Sequence, residues 1–150
     1  MARASLLILS LLCLALAAPA GAGPREDSRL LTGARGQLMT VVEAALEAGA
    51  DLEARDAGGR TALIWAAFHD HAHMLEFLLA RGADVNAQDA HGRTALIWAA
   101  TAGRAEAARA LLAAGADPGH RDRDGLGARD WAERGGHAGL AGLLAGAAAD

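Results

Sequence analysis

Along Thr61–Phe68, TALIWAAF, the apolar positions Leu63, Ala66 and Ala67 fall at i, i+3 and i+4, which places them on one helical face directed at neighbouring elements. Trp65 stands about 200° around that helix from Leu63, on a side it shares with Phe68 and His69. The pattern returns: GRTALIWAA begins at Gly59 and again at Gly92, 33 residues later. Trp65, Trp98 and Trp131 carry the same spacing into a third copy. A further helix is predicted for MTVVEAALEAG from Met39. Gly82 and Gly115 stand where a left-handed helix C-cap is needed, and Asp84 and Asp117 are placed to open the following turns.

The start of the chain follows another pattern. An apolar run from Leu6 to Ala18 follows the positive charge of Arg3 and precedes small residues, which reads as a signal peptide over residues 1–22, cleaved after Ala20 or Ala22. The run is too short to cross about 30 Å of hydrocarbon comfortably, and Pro19 and Gly21 break it. Cys13 follows Leu12 inside the run, which does not suit lipoprotein processing. Cleavage removes that cysteine, so an exported domain without disulfides must be held by packing alone.

RGADVNAQD at Arg81–Asp89 is answered by AGADPGHRD at Ala114–Asp122 and preceded by AGADLEARD at Ala48–Asp56. On these phrases and the 33-residue period the chain resembles ankyrin-repeat proteins over nearly all of its mature length. The resemblance implies an all-α repeat solenoid, each unit a β-turn finger and two antiparallel helices. About four units follow: an N-terminal capping unit over 23–55, repeats over 56–88 and 89–121, and a C-terminal capping unit over 122–150. The first helix of the first unit is expected to begin near Asp27 or Ser28 as a cap residue. In the last unit Gly127 stands for the usual threonine and Arg129 for the usual buried leucine, which suits a unit whose outer face meets water. The family phrase TPLHxAA reads TALIWAA here, so isoleucine replaces a histidine that in the family bonds the neighbouring finger, and the fingers are expected to be looser.

The register also bears on FHDHAH, Phe68–His73, where histidines alternate as they would in a strand-borne zinc site. The resemblance implies that His71 lies in the turn between two helices with its ring on nearby backbone, while His69 ends one helix and His73 begins the next. A metal-handling protein built on His69, His71 and His73 is the alternative reading.

All 14 basic residues are arginine, against 18 acids. Without Arg3 the balance is 13 to 18, a formal charge of −5, and an acidic surface matches nucleic acid poorly. Catalysis by a nucleophile needs an activated serine, cysteine, threonine or lysine. The mature chain has no cysteine or lysine and one serine, Ser28, while Thr61 and Thr94 are expected to stabilise helix starts. Asp122 and Asp124 fit a solvated turn better than a carboxylate pair. No enzyme, cofactor or metal is expected. The chain reads as a monomeric protein-binding module of a bacterial periplasm, off the membrane once cleaved. Its candidate contacts are Trp65, Phe68, His69, Trp98, Thr101 and Trp131 along the inner helices, and Arg55, Asp56, His91 and Arg123 on the fingers. His120 occupies a further finger position, where exposed polar residues are expected. For the tryptophan row two arrangements stay open: rings packed between adjacent first helices, or ring faces lining a groove.

Overall fold

A computed structural model describes residues 23–149, so the segment read as a signal peptide lies outside the described residues. Eight helices follow one another there as four antiparallel pairs. The pairs are α1 (Pro24–Arg35) with α2 (Met39–Glu47), α3 (Ala62–His69) with α4 (Ala72–Ala80), α5 (Ala95–Thr101) with α6 (Ala105–Ala113), and α7 (Ala128–Arg134) with α8 (Ala138–Ala147). The first helices of successive pairs stack closely on one another, whereas the second helices pack more sparsely, α4 against α6 the most among them. Closer stacking on one side bends the array so that α1, α3, α5 and α7 form its inner face. Among the described residues no helix is long and apolar enough to cross a membrane.

Alanine makes the close approach possible. Ala34, Ala66, Ala67, Ala99, Ala100, Ala128 and Ala132 are buried along the first helices, and Leu63, Ile64, Leu96 and Ile97 fill the layers between them. Ile64 and Ile97 are each 1% exposed, so the residues standing where the family carries histidine are core.

The caps explain where helices begin. Thr61 and Thr94 each accept a hydrogen bond at their hydroxyls, from Ile64 N and Ile97 N at 3.4 Å. Gly127 has no such side chain, and α7 keeps the reverse bond, Gly127 N–H to Asp130 Oδ2 at 2.8 Å. The expected start of α1 near Asp27 or Ser28 is corrected: the helix begins at Pro24 after Gly23. Proline's fixed φ suits the first helical position, and its missing N–H is one that a helix start leaves unpaired anyway. Asp27 is thereby free for another task, and its Oδ1 accepts Asp51 N–H at 2.8 Å, tying α1 to the first finger.

The turn within each pair repeats as well. Gln37, Asp70, Gly103 and Gly136 all have positive φ, at 59°, 61°, 71° and 77°. Asp70 and Gln37 thus occupy a backbone conformation that glycine adopts without strain, and the chain reverses there regardless.

Candidate functional site

Each finger is organised by one aspartate. Asp89 Oδ1 accepts the backbone N–H groups of His91 at 2.8 Å and Arg93 at 3.0 Å, closing the finger's turn. Its Oδ2 accepts the indole N–H of Trp98 at 2.8 Å, which fastens the finger to the helix that follows. Asp122 does the same with Asp124, Leu126 and Trp131, at 3.0, 3.0 and 2.8 Å. Asp56 does so with Gly58, Arg60 and Trp65, at 2.8, 2.9 and 3.1 Å. Adjacent fingers are joined by backbone: Ala90 N–H donates to Gly58 O and Arg123 N–H to His91 O, both at 3.0 Å. The looser fingers expected from the isoleucines have, in this geometry, a carboxylate clasp to hold them.

Burial works to raise the pKa of Asp56 and of Asp122. For Asp56 it is outweighed by the N–H groups of Arg60 and Gly58, the Arg60 guanidinium and the Trp65 indole. For Asp122 the opposing groups are Leu126 N–H, the Trp131 indole, Asp124 N–H and the Arg93 guanidinium. Both carboxyls therefore sit below the ordinary value of 3.8. Because the folded pKa is depressed, this stabilisation is complete above about pH 4 and is lost as pH falls through the folded values. Urea midpoints measured down an acid series should decline over that window, and Asp122→Asn should flatten the decline; an unchanged acid limb in the variant would count against the clasp.

The indole rings form a row with guanidiniums on their faces. The Arg35 guanidinium carbon stands 4.7 Å from the Trp65 ring centre and that of Arg60 at 4.4 Å. Arg60 also reaches Trp98, at 6.0 Å, which has Arg93 at 5.4 Å. Arg93 continues to Trp131, at 4.2 Å, with Arg134 beyond at 5.6 Å. The order along the inner face is thus Arg35, Trp65, Arg60, Trp98, Arg93, Trp131, Arg134. Each guanidinium near an indole face gains cation–π attraction, and Arg60 and Arg93 do so between two units. Ion pairs support them: Arg93 Nε lies 3.3 Å from the buried Asp122 Oδ2, and Arg60 Nε 3.2 Å from Asp56 Oδ2, though off a hydrogen-bonding direction.

The expected contact residues divide on this frame. Trp65 is 8% exposed, while Trp98 and Trp131 are half-buried: the rings pack between first helices with guanidiniums on their faces, and those of Trp98 and Trp131 stay partly exposed. Phe68 sets its edge against Trp98 at 5.4 Å and against Trp65 at 6.2 Å. His69 stacks on Trp65 at 5.7 Å and on His71 at 5.4 Å. Burial, then the charges of His71, Arg35 and Arg104, lower the His69 pKa. Thr101 is turned inward, donating its hydroxyl to Ile97 O at 2.8 Å. Arg55, His91 and Arg123 are exposed on the fingers, while Asp56 is half-buried and also clasps the Trp65 indole. His120 is also drawn in, its Nε2 lying 2.8 Å from Gly92 O.

His71 Nδ1 lies 3.1 Å from Ala34 O of the preceding pair, while His73 is exposed on α4. His69, His71 and His73 thus point to different tasks, and among the described residues no three His, Cys, Asp or Glu side chains are grouped to hold a metal ion.

Arg35, Arg60, Asp89, Arg93 and Arg134 belong to this face and were not singled out in the sequence, and the solvated turn expected at Asp122 is corrected, since that residue is buried where finger and indole meet. A signal for the two aspartates exists: an aspartate precedes each row tryptophan by nine residues, as Asp56 does Trp65, Asp89 does Trp98 and Asp122 does Trp131. Residues 30–122 match a family model of ankyrin repeats, in three copies. No curated protein matches the chain.

Proposed function

From the premise that the chain belongs to the ankyrin-repeat family, whose members are generally non-enzymatic protein-interaction modules, we propose that it binds a partner protein along its inner face and fingers. The observation that carries this reading is the arginine–tryptophan row. Its tryptophans recur with the repeat on stacked helices, Arg60 and Arg93 recur on the fingers between them, and the row leaves Trp98, Trp131, Arg35 and Arg134 at least partly exposed, tryptophan and arginine being the side chains that most often anchor interfaces. The contacts we propose are Trp65, Phe68, His69, Trp98, Thr101 and Trp131, with Arg55, Asp56, His91 and Arg123 at the finger rim.

The Arg3 charge, the short apolar run and the small residues before Gly23 support export with cleavage after Ala20 or Ala22, into a periplasm. In that setting the module acts as a monomeric accessory to another exported protein, an enzyme or a stress-defence factor, or as an immunity protein. A photo-crosslinking residue placed at Phe68, on the inner face, should yield a protein adduct in the producing cell, and one at Glu76, exposed on α4, should not. Equal adducts at both positions, or an adduct at Glu76 alone, would remove the inner face from consideration. Mass spectrometry of the recovered chain should show a start near Gly21 or Gly23.

A further inference from the structure

Between adjacent fingers the row opens into small clefts. One, of about 130 Å³, is lined by Gly58, Arg60, Asp89, His91, Arg93 and Trp98. Its single carboxylate is already engaged on both oxygens: Asp89 takes two backbone N–H groups on Oδ1 and the indole N–H on Oδ2. The two arginines each turn Nε toward an aspartate of the row, and among the described residues neither donates a hydrogen bond from its terminal nitrogens, although Arg93 Nη2 lies 3.9 Å from the exposed Asp124 carboxylate. Gly58 keeps the space for one of them, since a Cβ there would stand 2.9 Å from Arg60 Nη2. A second opening, of about 380 Å³, lies between α1 and a finger beside Trp65, with Arg35, Arg55 and the likewise occupied Asp56 in its lining; Arg55 Nη1 is taken by Gly59 O and Gln88 O, which leaves Arg35 to face the space.

We propose that these clefts receive carboxylate side chains of the partner, one per unit, so that the segment bound carries an acidic residue at every third position. This deepens the reading of the inner face as a protein-binding groove and rests on it. A guanidinium already held against an indole loses little freedom on pairing, and its planar fork matches a carboxylate. The spacing follows from geometry: stacked helices lie about 8–10 Å apart, and a polyproline II segment advances about 9 Å in the three residues that bring a side chain back to the same side. A strand advances a similar distance but turns every third side chain away. The chain's net charge of −4 opposes a long polyphosphate, whereas a short acidic segment meets only the local row.

The test uses the purified chain and fluorescein-labelled (Glu-Pro-Pro)4, read by anisotropy, beside the glutamine counterpart and a 15-nucleotide oligothymidylate. The glutamate peptide should bind about tenfold or more tighter than the glutamine peptide, since charge-assisted pairs are lost in the latter. Arg93→Gln should abolish most of that preference, and Arg93→Lys, which keeps charge without the planar fork, should weaken it. Arg109→Gln, on the exposed side of α6, should leave it intact. Thermal melts of each variant confirm folding, and Gly58→Ala gives a second route by displacing Arg60 without removing a charge. Equal binding of the two peptides, no binding of either, or equal affinities of Arg93→Gln and Arg109→Gln overturns the proposal. Tighter binding of the oligothymidylate overturns it in favour of a nucleic-acid partner. An inner-face adduct at Phe68 with no glutamate preference would sink the acidic specificity alone. Peptide binding that survives Arg93→Gln, with no adduct at Phe68, would sink the groove as well.

Discussion

Asp89→Ala should lower the unfolding free energy by about 3 kcal/mol, because it strips three N–H groups of one charged acceptor in a buried place. Bonds to ionised groups contribute more than neutral ones, and the groups left behind bear the full desolvation cost. The loss should exceed that of Asp124→Ala, whose carboxylate is exposed and lies 3.9 Å from Arg93 Nη2. Urea unfolding at neutral pH measures both. A difference below about 0.5 kcal/mol would mean that the finger is held by its backbone bonds alone.

Trp98→Ala should cost about 3 kcal/mol as well, at the lower end for aromatic truncation because the ring retains an exposed edge. Two guanidiniums, the Phe68 edge and the Asp89 carboxylate all lose their partner at once. Trp98→Phe separates the contributions: it retains a ring between the arginines and loses only the N–H, leaving Asp89 Oδ2 short of a donor, for about 1–2 kcal/mol. Trp98 is the informative choice because complete units flank it, so fraying at either end cannot imitate the result. Equal losses in the alanine and phenylalanine variants would show that the indole N–H, rather than the stacking, carries the effect.

These two variants also mark what could be read from the sequence. The repetition was legible because a translational repeat imposes the same local pattern every 33 residues, with threonine and glycine at fixed offsets, and the helix pairs and the solenoid followed from the resemblance to ankyrin repeats that this pattern carries. The shared side of Trp65, Phe68 and His69 was legible too, from helical geometry alone. The start of α1 was misplaced because Asp27 looks like a cap when only its neighbours are considered. Its partner, Asp51, lies on a finger that reaches it only when the units stack.

By itself, the sequence determined the period and the recurrence of the tryptophans, and through the family resemblance it implied the helix pairs and the turn at His71. Tertiary structure alone decided what the tryptophans touch. Each aspartate meets its indole nine residues on because the finger folds back over the helix it precedes, and Arg60 and Arg93 meet a second ring only because the next unit sits beside them. Periodicity fixes which positions are equivalent, whereas contacts between equivalent positions depend on the distance and tilt between units, which buried alanines and the leucine and isoleucine layers set through packing.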